Sequence, residues 1–266
     1  MRRRVVVTGV GLVLPTGIGV KTAWKNVCDG KSGIGPLTRF DTTRYETKIA
    51  GEVKGFNPEL YVDKKEVRRM DLFVQFALAA TTEALEDAQL KITPENSEQI
   101  GVIVGTGLGG LPTFEKNHSA LLEKGPGRVS PFFIPMLIAN MASGHIAIHF
   151  GVKGPNTCVV TACATGAHSI GDAFRAIQYG DAEAIIAGGT EANIAPLTIA
   201  KFNSMKTLST RNDEPEKASR PDSHMGRQHE QWCFSGSIRR GAVSQREDPR
   251  RPLHPRRLGG VRKDRG

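Results

Sequence analysis

Cys163 lies in a run of small residues between a β-branched stretch and an amphipathic one. Thr157 to Thr161 is predicted to form a short buried strand, and apolar residues recur at helical spacing from Ala167 to Tyr179. The thiol is therefore expected on a strand-to-helix turn, where unpaired N–H groups and the helix dipole stabilise a thiolate. The spacing alone is equally compatible with a small buried cysteine that packs as a hydrophobe.

As a nucleophile, Cys163 would attack a carbonyl carbon that its small neighbours allow to approach. Its own N–H could donate to the oxyanion formed by that attack. Cys158 lies within the predicted strand and is expected to be inert. A cysteine hydrolase would use the same thiol, but none of the seven histidines lies in a context that assigns it as the base.

The segment Thr161-Ala-Cys-Ala-Thr-Gly166 resembles the nucleophile motif of the β-ketoacyl-acyl-carrier-protein synthases, the condensing enzymes of fatty acid synthesis. Taken together, the matching segments resemble the type II synthases and cover residues 1–221. The other segments, in chain order, are Arg4–Gly9, Gly105–Gly110, Ser130–Phe133, Gly188–Glu191, Leu208–Asp213 and Ala218–Pro221.

The resemblance implies that an acyl group moves from the phosphopantetheine thiol of an acyl carrier protein to Cys163. Malonyl-carrier protein then loses CO₂, and the resulting carbanion attacks the acyl thioester. No resident cofactor is implied, because the phosphopantetheine arrives on the carrier protein, and no metal is expected.

The resemblance also assigns two groups of binding residues. From the residues alone, the implied acyl-chain contacts would be interpreted as core packing. The implied carrier-protein contacts would be interpreted as a solvated helix start. The implied acyl-chain contacts are Leu108, Phe133, Ile134 and Phe202. The implied carrier-protein contacts are Lys65, Arg68, Arg69 and Lys206.

Two histidine motifs that this family uses to stabilise the enolate are absent from the sequence. No histidine precedes Gly-Thr, and the Gly144-His145 pair comes before the nucleophile instead of after it. The glycine-rich motif that supplies a second oxyanion N–H near the family's C-terminus is also missing. We therefore expect that this chain alone does not complete the condensation. The alternative hypothesis is a non-catalytic protein that binds an acyl group or the carrier.

Strands and helices alternate along the chain, which predicts an α/β layer with a largely buried sheet. The resemblance sharpens this to a thiolase-like fold, of which only the first α/β half is encoded, in a family of homodimers. The predicted strands are Val5–Gly9, Ile100–Gly105 and Ala182–Gly189. The predicted helices are Lys21–Cys28, Asp71–Gln89 and Phe132–Phe150.

Two motifs favour simpler interpretations than their spacing suggests. Gly105–Gly110 matches a dinucleotide fingerprint, but Pro112 follows at once and no strand ending in an acid comes about 20 residues later. A tight turn after a strand is predicted there. His145 and His149 share a helix face but lack the adjacent glutamate of zincins and further ligands, so a metal site is not predicted.

The composition assigns residues 1–221 and 222–266 to different classes. Ten arginines and one lysine against five acids give residues 222–266 a charge of +6, which leaves +3 of the net +9 for residues 1–221. The body is thus nearly balanced, which argues against a nucleic-acid-binding protein. Four cysteines without paired spacing favour a reducing cytoplasm, and no apolar run reaches membrane-spanning length.

Residues 222–266 form a tail rich in Arg, Pro and Gly that no longer follows the resembling family. Such a segment buries too little apolar surface to offset its ordering entropy, so it is predicted to be disordered. Translation in a shifted reading frame after Pro221 would explain the change, and a real, shortened gene product is the competing explanation.

Overall fold

The computed structural model describes residues 3–218 and the backbone of residues 232–240. Within these ranges the strands are β1 (Val5–Leu14), β2 (Gly17–Ile18), β3 (Gly35–Pro36), β4 (Ile49–Ala50), β5 (Ile100–Gly105), β6 (Asn156–Thr157), β7 (Ala184–Glu191) and β8 (Trp232–Arg240). The α-helices are α1 (Val20–Cys28), α2 (Lys64–Val67), α3 (Leu72–Asp87), α4 (Leu111–Lys124), α5 (Phe133–Leu137), α6 (Met141–Phe150), α7 (Thr165–Tyr179) and α8 (Pro196–Ser204).

A mixed sheet in the order β2-β1-β8-β7-β5-β6 forms the centre of the described chain. β5 runs parallel to both β6 and β7, whereas β8 is antiparallel to its neighbours β1 and β7. Helices α3 and α6 cover one face of the sheet, and α7 covers the other. This arrangement confirms the predicted α/β layer with a buried sheet.

The two faces of β5 and β7 bury alternate residues in separate clusters. Val102, Val104 and Ile186 pack with the helices α3 and α6. Ile103 and Ile185 point the other way and pack with α7. Because both faces are covered, each strand reads as a continuous apolar run in the sequence, which is why both were predicted.

The first strand is longer than predicted because two of its glycines serve close packing. β1 continues beyond the predicted end at Gly9, through Gly11 to Leu14. A Cβ at Gly9 would clash with the carbonyl oxygen of Ala84, and one at Gly11 with that of Ala80. The missing side chains thus let α3 lie directly on the strand.

The predicted helix from Phe132 to Phe150 is wrong in its middle, because the chain forms two helices there. α5 ends at Leu137, whose carbonyl accepts the N–H of Gly110, 2.9 Å away. Ile138 is then extended, and α6 begins at Met141. The glycine turn after β5 therefore takes a hydrogen bond that a continuous helix would have used.

The predicted buried strand from Thr157 to Thr161 is also wrong in length and burial. Only Asn156 and Thr157 pair with β5, and both are exposed at the edge of the sheet. Val160 is exposed as well. Within the described chain β6 has a neighbour on one side only, so β-branched residues here do not mark a core strand.

Within the tail predicted to be disordered, the backbone of Trp232–Arg240 forms β8. This strand lies between β1 and β7 and bonds to both. A backbone ladder on each side stabilises an extended segment without regard to its composition, which the prediction did not weigh. The remaining residues of this tail lie outside the described residues.

The two helices predicted in the first third of the chain, Lys21–Cys28 and Asp71–Gln89, are confirmed. α1 matches Lys21–Cys28 within one residue, although only Ala23 of its predicted apolar face is buried. α3 matches Asp71–Gln89, with Asp71 as the capping residue that accepts the Phe73 N–H. No helix in the described ranges has the length and apolar character that a membrane crossing requires.

Ser143 links α6 to the sheet where β6 has ended. Its buried hydroxyl oxygen accepts the Val104 N–H at 2.9 Å and lies 2.8 Å from the Thr157 carbonyl oxygen. It also lies 2.9 Å from the Val104 carbonyl oxygen, and its single proton serves one of the two carbonyls. A side chain thus replaces the missing strand pairing next to the Cys163 segment.

We predict that Ser143→Ala lowers the free energy of unfolding by about 1–3 kcal/mol, because it leaves a buried backbone N–H without an acceptor. Ser169→Ala is the matched control. The Ser169 hydroxyl is equally buried but has no hydrogen-bond partner among the described residues. Urea unfolding should place the control within about 0.5 kcal/mol of the parent chain. Equal losses for both variants would contradict the role assigned to Ser143.

Candidate active site

Cys163 lies in a single 3-10 turn, Ala162–Ala164, that leads directly into α7. Its side chain is exposed. Ala162 has a φ of +51°, a left-handed conformation that is rare for alanine. The predicted position at a strand-to-helix turn is therefore confirmed in its essential part, the helix start.

Hydrogen bonds on the N-terminal side of Cys163 brace this turn. The Thr161 N–H donates to the Thr165 hydroxyl at 2.9 Å, and the Thr161 carbonyl accepts the Ala164 N–H at 3.1 Å. The Thr161 hydroxyl lies 2.8 Å from Nδ1 of His168, which is exposed on the first turns of α7. The strained residue Ala162 is thus held between fixed neighbours.

The carboxyl ends of the parallel strands meet beside this turn. A Cβ at Gly105, the last residue of β5, would clash with the Val159 carbonyl oxygen and the Thr165 methyl group. One at Gly107 would lie 3.6 Å from the Ala162 Cα. Glycine at position 105 lets the segment around Cys163 pack directly on the end of the sheet, at the edge where α/β proteins place their ligands.

Glu191, the last residue of β7, places a partly buried carboxylate under this turn. Its Oε2 accepts the Gly107 N–H at 2.9 Å, and its Oε1 accepts the Thr106 hydroxyl at 3.1 Å and the Asn193 side-chain amide. Burial raises the pKa of Glu191 to about 7, and these neutral donors offset part of the rise. This carboxyl therefore changes charge near neutral pH.

Cys158 lies on the same segment in a different environment. Its side chain is half-buried, and burial raises the pKa of the thiol, with a smaller opposing effect from the Thr106 backbone N–H. Since the thiolate is the reactive form, Cys158 is less reactive than an ordinary cysteine.

The four residues predicted to contact an acyl chain lie on three different elements. Leu108 follows β5 in the glycine turn, which α5 contacts through Leu137, and Phe133 and Ile134 lie on α5. Phe202 lies on α8, with the Lys201 ammonium 4.1 Å from its ring centre. The structure thus brings the first three to neighbouring elements, and the acyl-contact role of all four stays a prediction.

A cavity of 390 Å³ lies beside the residues that follow β7. Asp71, Arg39 and Ala192 are among the residues that line it, whereas the four predicted acyl contacts are not. Burial raises the pKa of Asp71, which accepts the Thr113 hydroxyl at 2.5 Å. No three potential metal-ligating side chains gather anywhere in the described ranges.

The four cations predicted to meet a carrier protein are all exposed, but two of them are already paired. Arg69 binds Glu66 at 2.9 Å and lies 4.8 Å from the ring centre of Phe132. Lys206 binds Glu46 at 2.7 Å. No carboxylate of the described residues lies within 4 Å of Lys65 or Arg68. Among the described residues these last two have no ion-pair partner, and both are exposed.

Sequence reasoning missed the structural parts played by Glu191 and Ser143. Glu191 belongs to a quoted motif, Gly188–Glu191, but the motif does not state what its carboxylate binds. A glutamate at the end of a predicted strand of mainly apolar and small residues is the signal that could have been used, because such a residue lies at the sheet's carboxyl edge. Ser143 carries no comparable signal.

A mixed α/β sheet with an exposed thiol at a helix start, on the carboxyl edge of its parallel strands, is the arrangement expected of a protein with a nucleophilic cysteine on an α/β scaffold. Comparison with known proteins narrows this class. Residues 2–227 match the family described as "Beta-ketoacyl synthase, N-terminal domain", and the chain belongs to that family. The family predicted from the sequence motifs is confirmed.

Curated relatives carry the name 3-oxoacyl-acyl-carrier-protein synthase 2. The Vibrio cholerae protein is 53% identical over 220 residues, which are 83% of this chain and 53% of that protein. The Staphylococcus aureus protein is 53% identical over 219 residues, 82% of this chain and 53% of that protein. The chain therefore spans about half the length of the curated relatives it matches.

Solved structures agree in fold. A β-ketoacyl synthase from Burkholderia phymatum superposes with a TM-score of 0.77 at 25% identity, over 91% of this chain and 60% of that one. A ketosynthase solved in complex with its acyl carrier protein, from a type II polyketide synthase, gives 0.70 at 25% identity, over 90% and 59%. The predicted thiolase-like α/β half is confirmed.

We predict that Cys163 is alkylated before Cys158. Cys163 is exposed, whereas Cys158 is half-buried with a raised pKa, so the rates should differ by about tenfold or more near pH 7.5. Brief iodoacetamide treatment of the native chain and peptide mass spectrometry measure both rates. Cys28, which is also exposed, is the internal reference for an ordinary surface thiol. Faster labelling of Cys158 would refute the assignment.

Proposed function

We propose that the chain carries the acyl-accepting part of a type II β-ketoacyl-acyl-carrier-protein synthase, an acyltransferase of fatty acid elongation. The observation that carries this proposal is the exposed thiol of Cys163 in the 3-10 turn before α7, at the carboxyl edge of β5 and β7. Membership of the family and the names of its curated relatives support the substrate class.

The proposed step is a thioester exchange. The Cys163 thiolate attacks the carbonyl carbon of an acyl group on the carrier's phosphopantetheine, and a tetrahedral oxyanion forms. Collapse of that intermediate breaks the carbon–sulfur bond to the carrier. The carrier leaves as a thiolate that takes a proton from solvent, and the acyl group stays on Cys163. No resident cofactor is needed for this exchange.

The second step of a condensing enzyme needs hydrogen-bond donors that the motifs in these 266 residues do not supply. Decarboxylation of malonyl-carrier protein creates an enolate, whose oxygen needs preorganised donors. The two histidine motifs that would supply them are absent from the sequence. We therefore propose that this chain alone stops at the acyl-enzyme. Because the same absence favours a non-catalytic acyl- or carrier-binding protein, that is the second candidate function.

The carrier is proposed to dock on the basic surface formed by Lys65, Arg68, Arg69 and Lys206. Support comes from the exposure of all four side chains and from a related ketosynthase whose structure contains an acyl carrier protein. Homodimerisation and a cytoplasmic location are proposed from the resemblance and from the unpaired cysteines.

We predict that the chain becomes acylated but does not condense. Incubation with acyl-carrier protein should add one acyl mass to the peptide that contains Cys163, and Cys163→Ala should abolish this addition. Further addition of malonyl-carrier protein should yield no 3-ketoacyl product, since each missing donor typically costs about 10²–10³ in rate.

The possible results separate the two candidate functions. Carrier binding without acylation would support the non-catalytic candidate, and release of free fatty acid would indicate a hydrolase. Formation of 3-ketoacyl product by this chain alone would overturn the proposed division of the reaction.

We also predict that the unpaired cations dominate carrier binding. Lys65→Glu and Arg68→Glu should each weaken the binding of acyl-carrier protein by roughly fivefold at low salt, with the difference shrinking as salt screens the charges. Arg69→Glu and Lys206→Glu should have smaller effects, because each cation already binds a neighbouring carboxylate.

Lys91→Glu is the matched control for these charge reversals, since Lys91 is exposed and lies outside the proposed surface. Fluorescence anisotropy of a labelled carrier at two salt concentrations measures each affinity. Equal weakening by Lys91→Glu and by Lys65→Glu would show that only net charge matters.

A further inference from the structure

The Glu191 carboxylate binds the turn that follows β5, and this turn lies next to the Cys163 turn. It accepts from the Thr106 hydroxyl and the Gly107 N–H, so it fixes the chain directly after β5. The Thr106 oxygen in turn accepts the Gly109 N–H at 3.3 Å. One carboxylate therefore sets the shape of the turn from Thr106 to Gly109.

This glycine turn also lies close to the Cys163 turn. A Cβ at Gly107 would lie 2.9 Å from Glu191 Oε2 and between 3.6 and 3.7 Å from the Cα and carbonyl oxygen of Ala162. Gly107 is thus close to both the carboxylate and Ala162, the strained residue directly before Cys163. A shift of this turn changes the support under the thiol.

We propose that Glu191 is a positioning residue, whose ionised carboxylate holds the Thr106–Gly109 turn against the Cys163 turn. The inference rests on the proposed function only in taking Cys163 as the acyl acceptor. Leu108, the first predicted acyl contact, lies in the same turn, so the clamp fixes an acyl contact relative to the thiol. Protonation of the carboxyl removes acceptor strength and loosens the clamp.

The groups that bind the Glu191 carboxylate are neutral, so its own ionisation sets the charge at this position. All the donors that bind it are neutral: the Thr106 hydroxyl, the Asn193 amide and backbone N–H groups. Asn193 is buried, and its side-chain oxygen has no partner among the described residues. The carboxyl is thus set among groups that do not themselves titrate.

Other titratable groups face the same two turns from neighbouring elements. Asp71, at the start of α3, has Oδ2 3.1 Å from the position of a Cβ on Gly110. Cys158 and Cys163 lie on the nucleophile segment, and His168 lies on α7. The experiment must therefore distinguish Glu191 from these four groups.

Hydrogen–deuterium exchange of the purified 266-residue chain tests the proposal. In Glu191→Gln the peptide covering residues 105–110 should exchange about tenfold faster than in the parent chain at pH 8, the size expected for a hydrogen bond to a charged group. The peptide covering residues 158–165 should also exchange faster. Because the parent carboxyl is protonated at low pH, both rate ratios should approach one below about pH 6.

A second variant keeps the Glu191 carboxyl and shifts the pH at which it titrates. Thr106→Val removes one donor that stabilises the ionised form, so the pH at which protection appears should rise. Glu123→Gln, a change at an exposed carboxylate on α4, is the charge-matched control and should leave both peptides unchanged. Circular dichroism establishes that each variant is folded.

Three results would overturn the inference: equal protection in the parent chain and Glu191→Gln, a rate ratio that does not change with pH, or a change confined to residues 105–110. A pH-independent ratio would assign Glu191 a structural role only. These outcomes are separate from the proposed function, because exchange is measured without substrate and acylation of Cys163 is scored independently.

Discussion

The close approach of Gly105 to the segment before Cys163 is the contact on which the rest of the site depends. With any side chain at this position, the Val159 carbonyl and Thr165 could not lie on the end of β5. The segment pairs with β5 at only two residues, so strand pairing does not hold it there. Close packing on Gly105 and Gly107 and the hydroxyl of Ser143 take over that task.

The turn that carries Cys163 is therefore held by contacts with its neighbours, while the thiol itself is exposed. Ala162 keeps its left-handed backbone because Thr161 and Thr165 brace one side and Gly107 packs on the other. The thiol then faces solvent at the start of α7. Rigid support and open access are the two properties that a covalent acyl acceptor needs.

The elements that could be predicted from the sequence are those buried on both faces, such as β5 and β7, because their residues form a continuous apolar run. Prediction failed where the same residue types serve an edge, as at Val160, or where a distant backbone group interrupts a helix, as Gly110 does at Leu137. The position of Cys163 at a helix start was predictable because the small neighbours and the helical spacing are local features. The contacts of Glu191 were not, since they arise only when two turns 84 residues apart meet.

The proposed function divides a condensing reaction into two steps that need different groups. Acyl transfer needs a nucleophile and room for a carbonyl, and both are present at Cys163. Carbanion formation needs cationic or strong donors at an oxygen. The imidazole of His168 instead binds the Thr161 hydroxyl and braces the turn. Glu191, which binds the neighbouring turn, supplies negative charge when ionised, which opposes an enolate. Under the proposed function, the donors for that second step therefore have to reach Cys163 from its exposed side.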